Sequence, residues 1–140
     1  MTKILEQNFK GIQHVGIPVT NLQKSVQFYN KLGFDNVMEG QFSHNNEIGN
    51  ARMMKRGEAI VELFMLPESE LAGIRSRKDG HIDHLAFDVA DVDKAFSELK
   101  KAGFQIDENE PVSLSFWEKG CKYFTVIGPD NEKLEFNQLL

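Results

Sequence analysis

Two histidines and two glutamates stand at matching places in the two halves of this 140-residue chain. His14 lies in the apolar run GIQHVGIPV, and His84 lies in the similar run HIDHLAFDV. Glu62 lies in AIVELFML, and Glu135 lies in KLEFNQ. Imidazole and carboxylate ligands without thiolates suit a divalent first-row metal. Four such ligands would leave an octahedral ion two open positions for water or substrate, which favours a catalytic rather than a structural site.

The alternation of side chains along a strand places these four residues on a common surface. In AIVELFML the apolar side chains at alternate positions share one face, and Glu62 points to the other. The runs around the other three residues alternate in the same way. A lone histidine in a strand is more often a hydrogen-bonded core or edge residue than a ligand. Four repeat-related occurrences favour a metal site, which His81 is not expected to share because it points away from His84.

The chain contains an internal repeat. Residues 12–34 align with residues 82–104 at a constant offset of 70 without a gap. Each copy predicts a strand and then a helix, which is capped by Asn21 or Thr20 in the first half and by Asp91 in the second. Three more strands are predicted in each half, near 36–43, 51–56 and 58–66 and near 104–108, 121–127 and 133–138. The pattern predicts an α+β fold in which two paired βαβββ modules form a cupped mixed sheet.

The predicted organisation is a single domain over residues 1–140. One module covers residues 10–66 and the other covers residues 81–138. The polar segment 67–80 joins them as a surface connector with room for one helical turn.

The composition limits the class of function. The formal net charge of −5 argues against a nucleic-acid-binding protein, and no apolar run approaches the length of a membrane span. Cys121 is the single cysteine, so no disulfide can form within the chain. The first residues lack the apolar core of a signal peptide. We therefore expect a cytoplasmic protein that acts on a small molecule, without nucleic-acid or membrane partners.

The sequence resembles the vicinal oxygen chelate superfamily, which contains glyoxalase I, bleomycin-resistance proteins and extradiol dioxygenases. The similarity rests on HVGIPVTNLQKSVQFY, on HIDHLAFDVADVDKAFSELKKAGF and on the terminal GPDNEKLEF, and it covers roughly residues 10–138. Within the superfamily, bacterial glyoxalase I has metal ligands in the order His, Glu, His, Glu. The resemblance therefore implies paired βαβββ modules, usually in a homodimer, and a metal site formed by His14, Glu62, His84 and Glu135.

The same resemblance implies a reaction. The protein would be a metal-dependent lyase or isomerase, similar to lactoylglutathione lyase, with one divalent ion per site (Ni, Co, Zn, Mn or Fe). It would remove a proton next to a carbonyl and pass through a metal-bound enediolate. Glu135 or Glu62 would be the general base, and the symmetric ligand set leaves open which of the two acts.

Two alternatives remain open. An enzyme similar to methylmalonyl-CoA epimerase uses the same chemistry, although members of that branch often have glutamine at the position of Glu62. A metal-free protein that sequesters an antibiotic, similar to the bleomycin-resistance members, does not need the ligand set. An extradiol dioxygenase is disfavoured. It needs a facial triad of two histidines and one carboxylate with three open metal positions, and a fourth protein ligand argues against it.

Overall fold

Two βαβββ modules make up the fold. The computed structural model describes residues 14–79, 82, 84–114 and 119–140. The elements of the first module are β1 (Val15–Pro18), α1 (Leu22–Lys31), β2 (Asp35–His44), β3 (Glu47–Arg56) and β4 (Ala59–Met65). The elements that follow are α2 (Glu68–Arg75), β5 (Leu85–Asp88), α3 (Val92–Lys101), β6 (Val112–Leu114), β7 (Cys121–Ile127) and β8 (Lys133–Leu139).

Each module contains one four-stranded mixed sheet. The strand order is β1-β4-β3-β2 in the first sheet and β5-β8-β7-β6 in the second. The first strand of each module pairs in parallel with the last, and the other pairs are antiparallel. This architecture confirms the predicted α+β class and the predicted pair of modules.

The two repeat-related helices begin at the caps that the sequence predicts, and each ends at a glycine. The side chains of Asn21 and Asp91 each accept a hydrogen bond, 3.0 Å long, from the backbone N–H three residues later. Gly33 and Gly103 follow the helices with φ angles of 85° and 81°, a region that residues with a Cβ rarely occupy. The cap and the glycine together fix both ends of each helix.

Two local predictions differ from the structure. Residues 104–108 do not form a strand: Ile106 makes one isolated bridge to Val126, and the second strand of the second module is β6. The polar residues after Ile106, followed by Pro111, disfavour a longer ladder. The connector contains more than one helical turn, because α2 spans eight residues and buries Leu71 and Ile74.

The helix-facing sides of the two modules meet in one apolar core. Phe28 contacts Phe104 and Phe34 contacts Phe87, with 5.5 Å between ring centroids in both pairs. Buried residues from β1, β4, α1, β7 and β8 belong to the same cluster. Side-chain packing therefore joins the halves.

A polar contact closes one side of this module interface. Thr20 donates hydrogen bonds from its hydroxyl and its backbone N–H to the Asp130 carboxylate, at 2.6 and 3.3 Å. Beside this contact, Tyr29 is fully buried and Glu132 is 5% exposed. Burial raises the pKa of Glu132, and burial raises the pKa of Tyr29 well above its ordinary value, with a further contribution from the charges of Glu132 and Asp130.

The raised pKa of Glu132 predicts how stability depends on pH. The folded protein holds the Glu132 proton more tightly than the unfolded chain, so this group's contribution to stability is complete below pH 4.5, its ordinary pKa, and is lost as the pH rises through the folded-state pKa. Glutamine carries no charge to bury at either pH. We therefore expect the difference in the free energy of unfolding between Glu132→Gln and the wild type to be more favourable to the variant at pH 8 than at pH 4, by on the order of 1 kcal/mol. Denaturant unfolding at both pH values measures this change.

The exposed Glu110 provides the control for this measurement, because Glu110→Gln should leave the pH dependence unchanged. A loss of stability in Glu132→Gln that is equal at pH 4 and pH 8 would contradict the prediction. It would mean that the hydrogen bond from the Asp130 N–H to the Glu132 carboxylate, 2.8 Å long, fully offsets the cost of burying the charge.

Candidate functional site

The first strand and the last strand of the first module bring His14 and Glu62 together. β1 and β4 run in parallel with Gly16 opposite Glu62. Val61 and Leu63, on either side of Glu62, are fully buried in the core, so the carboxylate points to the other face of the sheet. His14 Nε2 lies 3.3 Å from Glu62 Oε2.

The second module repeats this arrangement with His84 and Glu135. β5 and β8 run in parallel with Ala86 opposite Glu135, and Leu134 and Phe136 are buried on the opposite face. His84 Nε2 lies 3.5 Å from Glu135 Oε2. The two modules therefore present the same His–Glu pair at equivalent positions.

Each pair has the chemistry and the spacing of two neighbouring ligands of one ion. Histidine nitrogen and carboxylate oxygen bind divalent metals at about 2.0–2.2 Å, which places adjacent ligand atoms about 3.0–3.4 Å apart. The two Nε2–Oε2 distances, 3.3 and 3.5 Å, are close to this range. Each pair on its own therefore fits two ligand positions of a divalent ion.

The structure brings the four predicted ligands together as two His–Glu pairs, His14 with Glu62 and His84 with Glu135. Within the described ranges, no three His, Cys, Asp or Glu side chains converge closely enough to hold an ion. Gly16, Ile17 and Pro18 of β1 do line a narrow cavity together with His84, so that the two halves border a common space there. The four-ligand centre remains a prediction.

The two pairs differ in what holds the carboxylate. Asn137 Nδ2 donates a 2.6 Å hydrogen bond to Glu135 Oε1, so the two oxygens of Glu135 contact Asn137 and His84. The residue at the corresponding place in the first module is Phe64, which has no donor to offer Glu62. The side chain of Glu62 is also more exposed, at 28% against 17% for Glu135. Glu135 is therefore the more firmly held of the two carboxylates.

Sequence reasoning missed Asn137, although a signal for it existed. Comparing ELF in β4 with EFN in β8 places a polar side chain where the first module has an aromatic one, two residues after the glutamate. Phe64 shares the face of Glu62: a Cβ added at Gly16 would lie 3.3 Å from the Phe64 ring and 3.8 Å from Glu62 Oε2. Gly16 leaves room for that ring beside β1.

The surroundings of the two glutamates differ in polarity. In the first sheet, Met53 is paired with Glu62, and cross-strand partners share a face. In the second sheet, Thr125 is paired with Glu135 and Tyr123 with Asn137. The face around Glu62 is therefore apolar, and the face around Glu135 carries hydroxyl and amide groups.

The contacts of His44 and the burial of Cys121 indicate structural roles for both residues. His44 Nε2 lies 2.8 Å from Glu70 Oε1 and so connects the β2–β3 hairpin to α2. The hydrogen bond with His44 is the main reason why the pKa of Glu70 is lowered. Cys121 is fully buried. His81, the predicted non-ligand, lies outside the described residues.

Comparison with known proteins identifies the family. Residues 11–119 match the family model described as the Glyoxalase/Bleomycin resistance protein/Dioxygenase superfamily. The chain belongs to this superfamily. The family resemblance seen in the sequence is thereby confirmed, and the two His–Glu pairs lie in a member of the glyoxalase superfamily.

Relatives of this glyoxalase-superfamily chain cover almost its whole length. It is 34% identical over 129 residues to the uncharacterized protein YwkD of Bacillus subtilis, covering 90% of this chain and 94% of that protein. A glyoxalase family protein from Enterococcus faecalis superimposes with a TM-score of 0.69 at 25% identity, covering 92% and 98% of the two chains. A V278E mutant of glyoxalase I from Zea mays superimposes with a TM-score of 0.63 at 18% identity, covering 91% of this chain and 44% of that one, and shows the shared fold.

The described helices are also too short or too polar to cross a membrane.

Proposed function

We propose that this protein is a metal-dependent lyase or isomerase of the glyoxalase I type, which removes a proton from a carbon next to a carbonyl. The observation that carries the proposal is the repeated His–Glu pair, in which nitrogen and oxygen lie 3.3 and 3.5 Å apart on equivalent strands. Family membership supports it, since the superfamily includes enzymes of this kind.

His14, Glu62, His84 and Glu135 would hold one divalent ion, of which Ni, Co, Zn, Mn and Fe are the candidates. When bound, the ion would supply a Lewis acid that stabilises negative charge on a substrate oxygen. The two pairs would have to meet at one ion, either within a chain or across two chains.

The unequal hold on the two carboxylates suggests a division of roles. Glu135 is fixed by Asn137 and His84, so it would remain in place as a ligand. Glu62 is contacted by His14 at Oε2, and the ring of Phe64 lies beside it without a donor. We propose that Glu62 accepts the substrate proton on its carboxylate and later returns it.

The polarity of the two faces suggests the class of substrate. An apolar substituent would lie against Met53 and Phe64 on the side of Glu62. A group that forms hydrogen bonds would lie against Thr125, Tyr123 and Asn137. A carbonyl compound with one apolar side and one polar side, such as the adduct of an aldehyde with a polar thiol, matches this arrangement.

A metal-free binding protein is the second candidate. The specific observation in its favour is that the two His–Glu pairs stay separate, with no convergence of three ligands in the described part of the chain. An epimerase that acts beside a thioester would use the same proposed chemistry on another substrate.

Proton exchange at the substrate carbon tests the proposal. We expect metal-loaded protein in D₂O to introduce deuterium at the carbon next to the carbonyl of a hemithioacetal or an acyl thioester, as measured by NMR. The matched control is the same protein treated with a chelator. Tight binding of such compounds without exchange, with or without metal, would favour the binding protein instead.

Homodimer formation and a cytoplasmic location also belong to the proposal. The family's usual pairing of modules supports the homodimer, as do the exposed apolar residues Val37, Met38 and Ile48 on β2 and β3. Light scattering compares the mass in solution with 16.0 kDa for one chain.

A further inference from the structure

A cleft of about 810 Å³ lies on the helix side of the second sheet, away from the His–Glu pairs. Phe87 and Phe136 line it, and they point to the opposite face of the sheet from their neighbours Ala86 and Glu135. The β3–β4 turn forms one wall and α3 forms another. The volume lies within the roughly 300–1,000 Å³ typical of small-molecule sites.

The internal repeat shows why this space is open. The equivalent region on the other side of the module interface is closed by Thr20, Tyr29 and Glu132. The repeat matches Thr20 with Ala90 and Tyr29 with Leu99. Ala59 precedes Glu62 by three residues, as Glu132 precedes Glu135, and Ala59, Ala90 and Leu99 all line the cleft. Smaller side chains at three matched positions therefore leave the volume empty.

The lengths of the two turns add to the difference. Two residues, 57–58, separate the paired residues Arg56 and Ala59. Five residues, 128–132, separate the paired residues Ile127 and Lys133. The longer turn carries Asp130 to Thr20, whereas the shorter turn leaves a gap beside Ala90. The cleft thus results from specific differences between the halves and is not a general property of the fold.

The floor of the cleft is aromatic. The ring centroid of Phe87 lies 5.5 Å from that of Phe34 and 5.6 Å from that of Phe136, and all three rings border the space. Leu99 and Ala95 of α3 extend the apolar surface. A flat apolar group would bury its faces against these rings.

The rim carries an excess of negative charge. Arg56 lines the cleft, but its Nη1 donates a 2.6 Å hydrogen bond to the backbone oxygen of Leu32. The N-terminus of α3 does not favour an anion, since Gln138 and Asp91 already accept hydrogen bonds from its backbone N–H groups. The lining includes two cationic residues, Arg56 and Lys94, against four acidic ones, Glu58, Asp88, Asp91 and Glu98.

From the aromatic floor and the acidic rim, we propose that this cleft is a second binding site, separate from the His–Glu pairs, which takes a planar aromatic molecule with a positive charge. The rings bind the planar body, and cation–π attraction adds to the attraction of the carboxylates. Binding here requires neither a metal ion nor the proposed enzyme activity.

Fluorescence titration of the full chain, free of nucleic acid, with ethidium tests the proposal. We expect saturable binding of one ethidium per chain and at least about tenfold weaker binding of the anionic dye 1-anilinonaphthalene-8-sulfonate. Ala95→Phe fills the apolar wall and should weaken ethidium binding by at least about tenfold. Glu58→Gln combined with Glu98→Gln should weaken it by about fivefold, and Glu110→Gln should not.

The two kinds of variant keep the test decisive. Circular dichroism shows whether Ala95→Phe folds. If it does not, the double variant Glu58→Gln/Glu98→Gln, whose two positions are exposed, still tests the contribution of charge. Equal or tighter binding of the anionic dye would overturn the proposal. Wild-type affinity for ethidium in a folded Ala95→Phe variant, or in the double glutamine variant, would also overturn it.

Discussion

Replacing Glu62 with Gln is expected to lower turnover by a factor of about 10²–10⁴ while the divalent ion stays bound. The amide keeps the size of the side chain and one oxygen ligand, but it cannot accept a proton. Steady-state kinetics with the substrate found by proton exchange would measure the loss, and metal analysis of the same sample would show that the ion is retained. Deuterium incorporation at the substrate carbon should disappear together with turnover.

Glu135→Gln is the matched comparison, because Glu135 occupies the equivalent position in the second module. Its activity should fall in proportion to weakened metal binding and recover partly with excess metal, since Asn137 and His84 hold Glu135 in place. The opposite pattern, with Glu135→Gln metal-loaded but inactive, would reverse the two roles. Full activity in both metal-loaded variants would rule out carboxylate base catalysis.

Replacing His84 with Ala is expected to abolish tight metal binding. A site with four protein ligands binds about one divalent ion per chain. Removing a residue that only hydrogen-bonds to a metal ligand typically weakens metal binding about 10–100-fold, and removing a nitrogen ligand itself should weaken it more. Titration with Co²⁺, followed by absorption and by metal content, measures the affinity without any substrate.

His81→Ala is the control for the His84 variant, since His81 lies three residues earlier and is predicted to point to the opposite face. Equal loss of metal in both variants would mean that the strand parity is wrong at this position. Unchanged binding in His84→Ala would show that the two His–Glu pairs do not act on a common ion.

The repeat and the period of side-chain alternation were enough to predict the arrangement of the modules. His14 and Glu62 come together because β1 and β4 are in register, and their parity was readable from the apolar residues beside them. The same physical reason held for His84 and Glu135. The course of residues 104–114 was not predictable in this way, because β6 is only three residues long and carries too little alternation.

Features that depend on differences between the halves were harder to predict. The sequence shows that Asn137 replaces the Phe64 of the first half, but the significance of this difference comes from a hydrogen bond to Glu135 that only the three-dimensional structure shows. The cleft beside α3 depends likewise on which side chains face each other across the two modules. Matching Tyr29 with Leu99 in the sequence gives the difference in size but not the space that results.

The confinement of each hydrogen-bonded ladder to its own module has a consequence for folding. In the described part of the chain, every named strand pairs with strands of the same half. The longest loop closure in the first sheet joins β1 to β4, so the entropy lost in forming that sheet is that of a segment of less than half the chain. Each half therefore contains all of its own strand pairing, and the contacts that must form between distant parts of the chain are largely side-chain contacts, such as those of Phe28 with Phe104 and of Phe34 with Phe87.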